Sequence, residues 1–231
     1  MVTDFHSHIL PALDDGSRDL EMSLRMLDMA SGQGIRRMAA TPHFYPHRDD
    51  PEAFLAARKS SWEDLCRARK RPHPELLPGA EVYFFRGISG CDFLEALAIG
   101  DTGCVMVEMP PAPWPEEFYR ELEELRRHRG LTPIIAHVDR YIRPLHTFSI
   151  PQRLAELPVL VQANAEFFTD RRTAGFAMKL LRRGQIQLLG SDCHDLSHRR
   201  PNLGEAVRRI EETLGPEILR QMEDLEESIL G

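Results

Sequence analysis

The sequence predicts an α/β protein built on a parallel sheet, open or closed, and three observations lead there. First, about seven β-like stretches alternate with helical patterns along the chain. Second, a residue of metal-ligand type follows one β-like stretch after another, at the end of the strand where parallel α/β barrels build their active sites. Third, 231 residues are enough for one full core. No sharp linker, low-complexity segment or repeat interrupts them, so residues 1–231 read as a single domain.

In chain order, a β-like stretch at 2–6 precedes a helical pattern at 19–31, which starts after Ser17 and closes at Gly32 and Gly34. A strand near 36–41 leads to a helix near 51–69 opened by Pro51. A strand near 76–83, a short helix near 91–98 and a strand at 104–108 follow, ended by the proline-rich loop at 110–115. A helix at 116–129 and a strand at 133–137 come next, then a helical segment near 151–156, a strand at 158–163 and a helix at 171–183 closing on Gly184. The last strand is 186–190, and amphipathic helices near 203–214 and 216–229 fit either a barrel's outer ring or an oligomer contact.

Composition narrows the function classes. With 29 basic against 36 acidic residues and a net charge of -7, the chain does not favour a dedicated nucleic-acid binder. The basic runs at 67–71 and 126–129 read as solvated helix faces. Four scattered cysteines (Cys66, Cys91, Cys104, Cys193) show neither zinc nor disulfide spacing and suit a reducing compartment. No apolar run approaches membrane-spanning length, and Met1 leads straight into the first strand. The expectation is a cytoplasmic protein without a membrane span.

The opening stretch, DFHSHILPALDDG, places His6 and His8 two residues apart, so on a strand both face one point, with Asp14 and Asp15 in the loop beyond. The second strand ends in Thr41-Pro42-His43, the third carries Glu81, and the fourth ends in Glu108. The fifth gives His137 and then Asp139-Arg140-Tyr141, and the sixth runs through Gln162 to Asn164. The seventh ends in Ser191-Asp192-Cys193-His194, repeating the i, i+2 arrangement. Any one of these residues is also what a helix cap or a loop hydrogen bond uses. Together, histidines and carboxylates converging on one small cup would repel or desolvate one another without a cation. Imidazole mixed with carboxylate suits Mn, Fe, Zn or Co better than Mg or Ca. About eight or nine donors are too many for one ion, so a cluster of two or three is expected, with a carboxylate such as Glu81 bridging.

In this order DFHSHILPALDDG, TPH, GAEVYF, AHVDRY and SDCHD resemble the PHP superfamily. Within it they are most similar to the bacterial metal-dependent protein-tyrosine phosphatases of capsule and exopolysaccharide synthesis, over about residues 2–204. The resemblance implies a distorted (β/α)7 TIM-like barrel with three divalent ions, usually manganese. It implies His6, His8, Glu81 and Asp192 on the first ion, Glu81, Glu108 and His137 on the second, and Asp15, His43 and His194 on the third. Phosphate-binding arginines fall on Arg140 and Arg199. The implied substrate is a phosphotyrosyl protein, the tail of an autophosphorylated bacterial tyrosine kinase, hydrolysed by metal-activated hydroxide. Two departures are visible: Asp139 stands where relatives commonly have Glu, and a C-terminal asparagine is missing around Leu225.

Two metals roughly 3.5–4 Å apart clamp a reacting phosphoryl group, and bidentate arginines suit its oxygens. Arg140 pairing with Asp139 and a solvated Arg199 are the plain alternatives. Cys193 and Arg199 also have the C-x5-R spacing of cysteine-dependent tyrosine phosphatases. The intervening residues lack glycine, and Asp192 and Asp195 would raise the thiol pKa. Two competing functions remain open, a histidinol-phosphate or other small-molecule phosphoesterase and a non-catalytic metal-containing module docked on a kinase. The loop at 110–115 either walls a peptide cleft, with Trp114 and Tyr141 offered to an aromatic substrate, or covers the barrel rim. Phe167 and Phe168 either line that cleft or pack beneath it.

Overall fold

A computed structural model gives the structure over residues 2–69, 72–142 and 149–231. Helix α1 (Leu20–Gly32) leads to β1 (Arg37–Ala40) and β2 (His43–Phe44), and α2 (Pro51–Ala68) to β3 (Glu75–Pro78) and β4 (Glu81–Tyr83). Two 3₁₀ segments, Ile88–Gly90 and Asp92–Leu97, precede β5 (Cys104–Glu108), and α3 (Glu116–Arg129) precedes β6 (Thr132–Ile135). Then come α4 (Asp139–Ile142), α5 (Ile150–Leu154), β7 (Leu160–Asn164), α6 (Ala165–Thr169) and α7 (Ala174–Arg182). Strand β8 (Leu188–Gly190) and helices α8 (Leu203–Leu214) and α9 (Pro216–Leu230) finish the chain. The helices start where caps allow: Asp19 accepts the Met22 amide, and Asp50 accepts that of Ala53 with Pro51 in the first turn.

Among the described residues every strand pair is parallel. β2, β4, β5, β6, β7 and β8 follow one another in one sheet, and β1 pairs with β3. β1 and β2 lie on one line of chain broken at Thr41-Pro42, and β3 and β4 on another broken at Gly79-Ala80. The ladder runs through both breaks, from the Gly79 amide to the Ala40 carbonyl and from the Glu81 amide to the Pro42 carbonyl. The single strand expected at 76–83 is therefore two short ones. The N-terminal stretch closes the ring. On one side the amides of Asp4 and Thr41 bond the carbonyls of Arg37 and Ser7, and on the other those of Phe5 and His8 bond Leu189 and Cys193. It pairs only as single bridges, Asp4 with Met38 and Ser7 with Cys193, rather than as the regular strand expected at 2–6. Among the described residues the result is the distorted (β/α)7 barrel of the sequence reading.

Inside the ring, Phe5, Ala39, Met106, Ile134 and Leu188 form an apolar plug, while Val105, Val107 and Val161 belong to the larger core that packs the helices against the sheet. Successive inward positions on each strand alternate with outward ones. Toward the C-terminal end of each strand the inward column changes from apolar to polar, at levels staggered from strand to strand: Ala39 to His43, Leu77 to Glu81, Met106 to Glu108, Leu160 to Gln162, Leu188 to Asp192.

Candidate metal centre

Those polar ends meet in one cup. His6 Nε2 lies 3.2 Å from Glu81 Oε2 and 3.6 Å from Asp192 Oδ1. His8 Nε2 lies 3.3 Å and 3.4 Å from the same two oxygens. His137 Nε2 is 2.7 Å from Glu81 Oε1 and 3.7 Å from Glu108 Oε1, and His43 Nδ1 is 3.0 Å from Glu81 Oε2. Asp15 Oδ1, on the exposed rim, lies 3.6 Å from His43 Nε2 and 3.4 Å from His194 Nε2. Donor atoms close enough to share an ion form three overlapping groups: His6/His8/Glu81, His43/Glu81/Glu108 and His8/Asp15/His43/His194. All nine residues singled out in the sequence thus come together, with His137 and Asp192 joining through the distances above.

Several imidazoles are aimed by a partner on the far nitrogen. His8 Nδ1 donates to Asp14 Oδ2 at 2.6 Å, His6 Nδ1 to Gln162 Oε1 at 3.2 Å, and His194 Nδ1 to the Asp192 carbonyl at 3.0 Å. With Nδ1 so engaged, Nε2 is the nitrogen each ring turns toward the cup. Gln162 also accepts the His137 amide and donates to Asn164, which donates to Asp192. Asp14, Gln162 and Asn164 were visible at strand ends, but spacing alone gives no means of telling a ligand from the residue that orients it. The backbone is strained here: His137 and Asp192 have φ of 32° and 52°, and such left-handed non-glycine residues cluster at functional sites. The inward positions here are Ile134 on β6 and Ala136 just past its end. The left-handed turn brings His137, out of step with them, back toward Glu81. Close approach explains two glycines, since a Cβ at Gly16 would sit 2.4 Å from the His8 carbonyl and one at Gly190 2.5 Å from His6 Cβ.

The protein atoms do not balance the cup by themselves. Burial would raise the Glu81 carboxyl, but the His6 charge and the His137 hydrogen bond hold it well below the usual carboxylate range. Burial and then the Glu81 charge push Glu108 up to about 7, while burial and the His8 charge push His194 down to about 4. Glu81 Oε2 and His194 Nε2 are buried with no hydrogen-bond partner among the described residues, both facing the cup. Unsatisfied carboxylate and imidazole atoms around one point are what Mn, Fe, Zn or Co would satisfy, so the residues fit such ions.

Arg140 does not pair with Asp139, which instead accepts the Asn164 amide. Arg140 and Arg199 both bond Asp192, the second at 2.7 Å, from half-open positions at the lip. The cysteine alternative fails on geometry. Cys193 is fully buried, and burial with the nearby Asp4 charge pushes its thiol far up. The amides of Ser197, His198 and Arg199, which a phosphate cradle would need, are bonded to Asp195. Trp114 and Tyr141 are not offered to a substrate: both are buried against each other at 5.0 Å, bonded to Pro110 and Met109. The loop at 110–115 turns Trp114 inward and leaves residues 111–113 and 115 exposed, and Phe167 and Phe168 are buried. Of the basic run at 67–71, Lys70 and Arg71 lie outside the described residues. Among the described residues, no helix is long and apolar enough to cross a membrane.

The chain resembles known proteins along most of its length. The chain is 27% identical to the tyrosine-protein phosphatase YwqE of Bacillus subtilis, over 93% of its own length and 86% of that protein. It is 26% identical to the tyrosine-protein phosphatase CpsB of Streptococcus agalactiae, over 95% and 93%. A crystal structure from the pair YwqE of B. subtilis and CpsB of Streptococcus pneumoniae, described as unique metal-dependent tyrosine phosphatases, superposes with a TM-score of 0.85 at 26% identity. The match covers 99% of this chain and 94% of that one. With residues 2–226 matching it, the chain belongs to the CpsB/CapC family of capsular polysaccharide synthesis.

Proposed function

We propose that this chain is a metal-dependent protein-tyrosine phosphatase and that residues 1–231 act as one catalytic domain. The observation that carries the reading is the meeting of nine donor side chains in one cup with two arginines on its lip, in a chain whose relatives are named tyrosine phosphatases. His6, His8, Glu81 and Asp192 would hold a first ion, Glu81, Glu108 and His137 a second, and Asp15, His43 and His194 a third, with Mn preferred. The ions supply charge neutralisation on the phosphoryl group and a nucleophile from water at neutral pH.

The chain's own residues do the rest. Arg140 and Arg199 reach one carboxylate of the cluster from different strand ends, so a phosphate bound over Asp192 meets both guanidiniums. Asp14 and Gln162 hold His8 and His6 in the tautomer that presents Nε2. The leaving group is a phenolate, stable enough to depart without a strong acid beside it. The substrate we infer is the phosphotyrosine tail of a bacterial tyrosine kinase in polysaccharide synthesis, met in the cytoplasm; the family's role in capsule synthesis supports this.

The test is hydrolysis of a phosphotyrosine peptide against histidinol phosphate, with enzyme stripped by chelator and reloaded with Mn, beside Cys193→Ser. Activity that vanishes on stripping, returns with Mn, survives the serine change and favours the peptide is expected. Preference for histidinol phosphate moves the assignment to small esters. Activity that outlasts chelation but dies with Cys193 sinks the metal mechanism, and inactivity on both esters leaves a docking module.

A further inference from the structure

Two tyrosines stand beside the ligands, Tyr83 on β4 and Tyr45 one residue past the end of β2. His43 and Glu81 are in register across β2 and β4. Tyr83 follows Glu81 by two residues on β4, so it shares that ligand's side of the barrel one pleat nearer the mouth, about 6.6 Å along the strand, and Tyr45 follows His43 by two residues just past β2. Their ring centroids lie 5.9 Å apart. Tyr83 is in register with Glu108, and Tyr45 stacks on the His43 ring at 5.1 Å, so the pair borders the cluster directly. Both are half-buried, where Trp114 and Tyr141 are closed off.

The wall is built rather than loose. Asp49 Oδ2 accepts the Tyr45 amide at 2.7 Å, and the Tyr45 carbonyl accepts the amides of Arg48 and Asp49. The Arg48 guanidinium sits 4.6 Å from the Tyr45 ring centroid. Arg140 and Arg199 follow β6 and β8, on other sides of the ring. In the pose proposed here the phosphorus lies over the cup between the arginines and the organic group projects past the tyrosines. An aryl ring fills that level and meets two aromatic rings, whereas the short alkyl ester of a phosphoserine meets neither.

We propose that Tyr45 and Tyr83 form an aryl-binding wall that makes this site select aryl over alkyl phosphates. The inference rests on the phosphatase reading of the cup and names the specificity determinant within it. Ring-on-ring packing predicts a loss of roughly 3- to 10-fold in aryl affinity when either ring is removed.

The experiment measures binding of phenylphosphonate and methylphosphonate to the Mn-loaded full chain by calorimetry, with Mn content determined on each sample. Tyr45→Ala and Tyr83→Ala should each weaken phenylphosphonate by that factor and leave methylphosphonate within about twofold. Tyr45→Phe should keep the aryl preference, because the contact is made by the ring. KM for a phosphotyrosine peptide should rise in parallel with kcat nearly constant, the pattern of lost uniform binding. Equal loss of both phosphonates, or loss of Mn, would mean the tyrosines merely brace His43 and would overturn the wall. Unchanged phenylphosphonate binding in both alanine variants overturns it too. If the wild type prefers phenylphosphonate through these rings yet hydrolyses no phosphotyrosine peptide, the wall stands and the phosphatase reading falls. If it hydrolyses the peptide without any phenyl preference, the wall alone falls.

Discussion

Asp14 shows how much of the cup depends on a residue assigned to no ion. Its Oδ2 accepts from His8 Nδ1 at 2.6 Å and from the His43 amide at 2.9 Å, so one carboxylate orients two ligand-bearing positions. Burial would raise it, but the hydrogen bond and charge of His8 hold it far below the usual carboxylate range. Asp14→Asn keeps the shape and removes the charge that fixes the His8 tautomer. Mn affinity should drop about 10- to 100-fold, read by titration of stripped protein; a normal Mn isotherm with only kcat reduced would contradict the orienting role. Arg140→Lys and Arg199→Lys should raise KM for the phosphopeptide and leave Mn affinity intact, since Lys offers a point charge in place of a planar fork. An unaltered KM in both variants would return these arginines to solvated pairs. At this scale the sequence was legible where chemistry follows period: His6 and His8 announce themselves by i, i+2 spacing. It was silent where the backbone is strained, because nothing in AHVDRY announces that His137 takes a positive φ.

Helices with a full apolar stripe and a glycine at the C-terminal cap were readable almost to the residue, α3 at Glu116–Arg129 and α8 at Leu203–Leu214 among them. The four- and five-residue helices α4 and α6 were not, being shorter than any window in which a 3.6-residue period shows. Nor was the division of 76–83 into β3 and β4, since pairing across a glycine is decided by the neighbouring strand. The end of the barrel, uncertain from a missing asparagine, is tied by α9 through another residue: Glu226 Oε2 accepts the Thr3 amide at 2.7 Å. Burial pushes this carboxyl up to about 7 from a usual value of 4.5, against the Thr3 hydrogen bonds and the Arg37 charge. With its folded pKa raised, the native state holds the proton longer than the unfolded chain. The associated stability is fully present below about 4.5 and lost as pH rises through about 7. Glu226→Gln should therefore stabilise at pH 8 by up to about 3 kcal/mol and change little at pH 4, read from denaturant midpoints. A gain that is the same at both pH values would show that ionisation is not its source.

Across the whole molecule, the order of motifs sufficed to predict the cup because a parallel barrel gathers every C-terminal strand end on one face. It did not suffice for the mouth, where Trp114 and Tyr141 turned inward while Tyr45 and Tyr83 line the opening; which aromatic is open depends on loop packing, which has no period. The same convergence makes the fold depend on its ions. The donors span the chain from His6 to His194, and closure of the ring brings the N-terminal stretch beside β8 and sets those charges against one another. Cations that bind the closed ring and not the unfolded chain stabilise it by mass action, about 2.7 kcal/mol for each independent site at 100 times Kd. For a chain of this length that corresponds to a rise of roughly 5–11 °C in Tm per site. Mn added stepwise to chelated protein should raise Tm steadily, and Glu81→Gln, which removes a charge shared between two of the donor groups, should flatten the response. A stripped protein that melts where the Mn-loaded one does would mean that the native cup holds no ions, and the hydrogen-bonded imidazoles would then have to be read as a purely structural core.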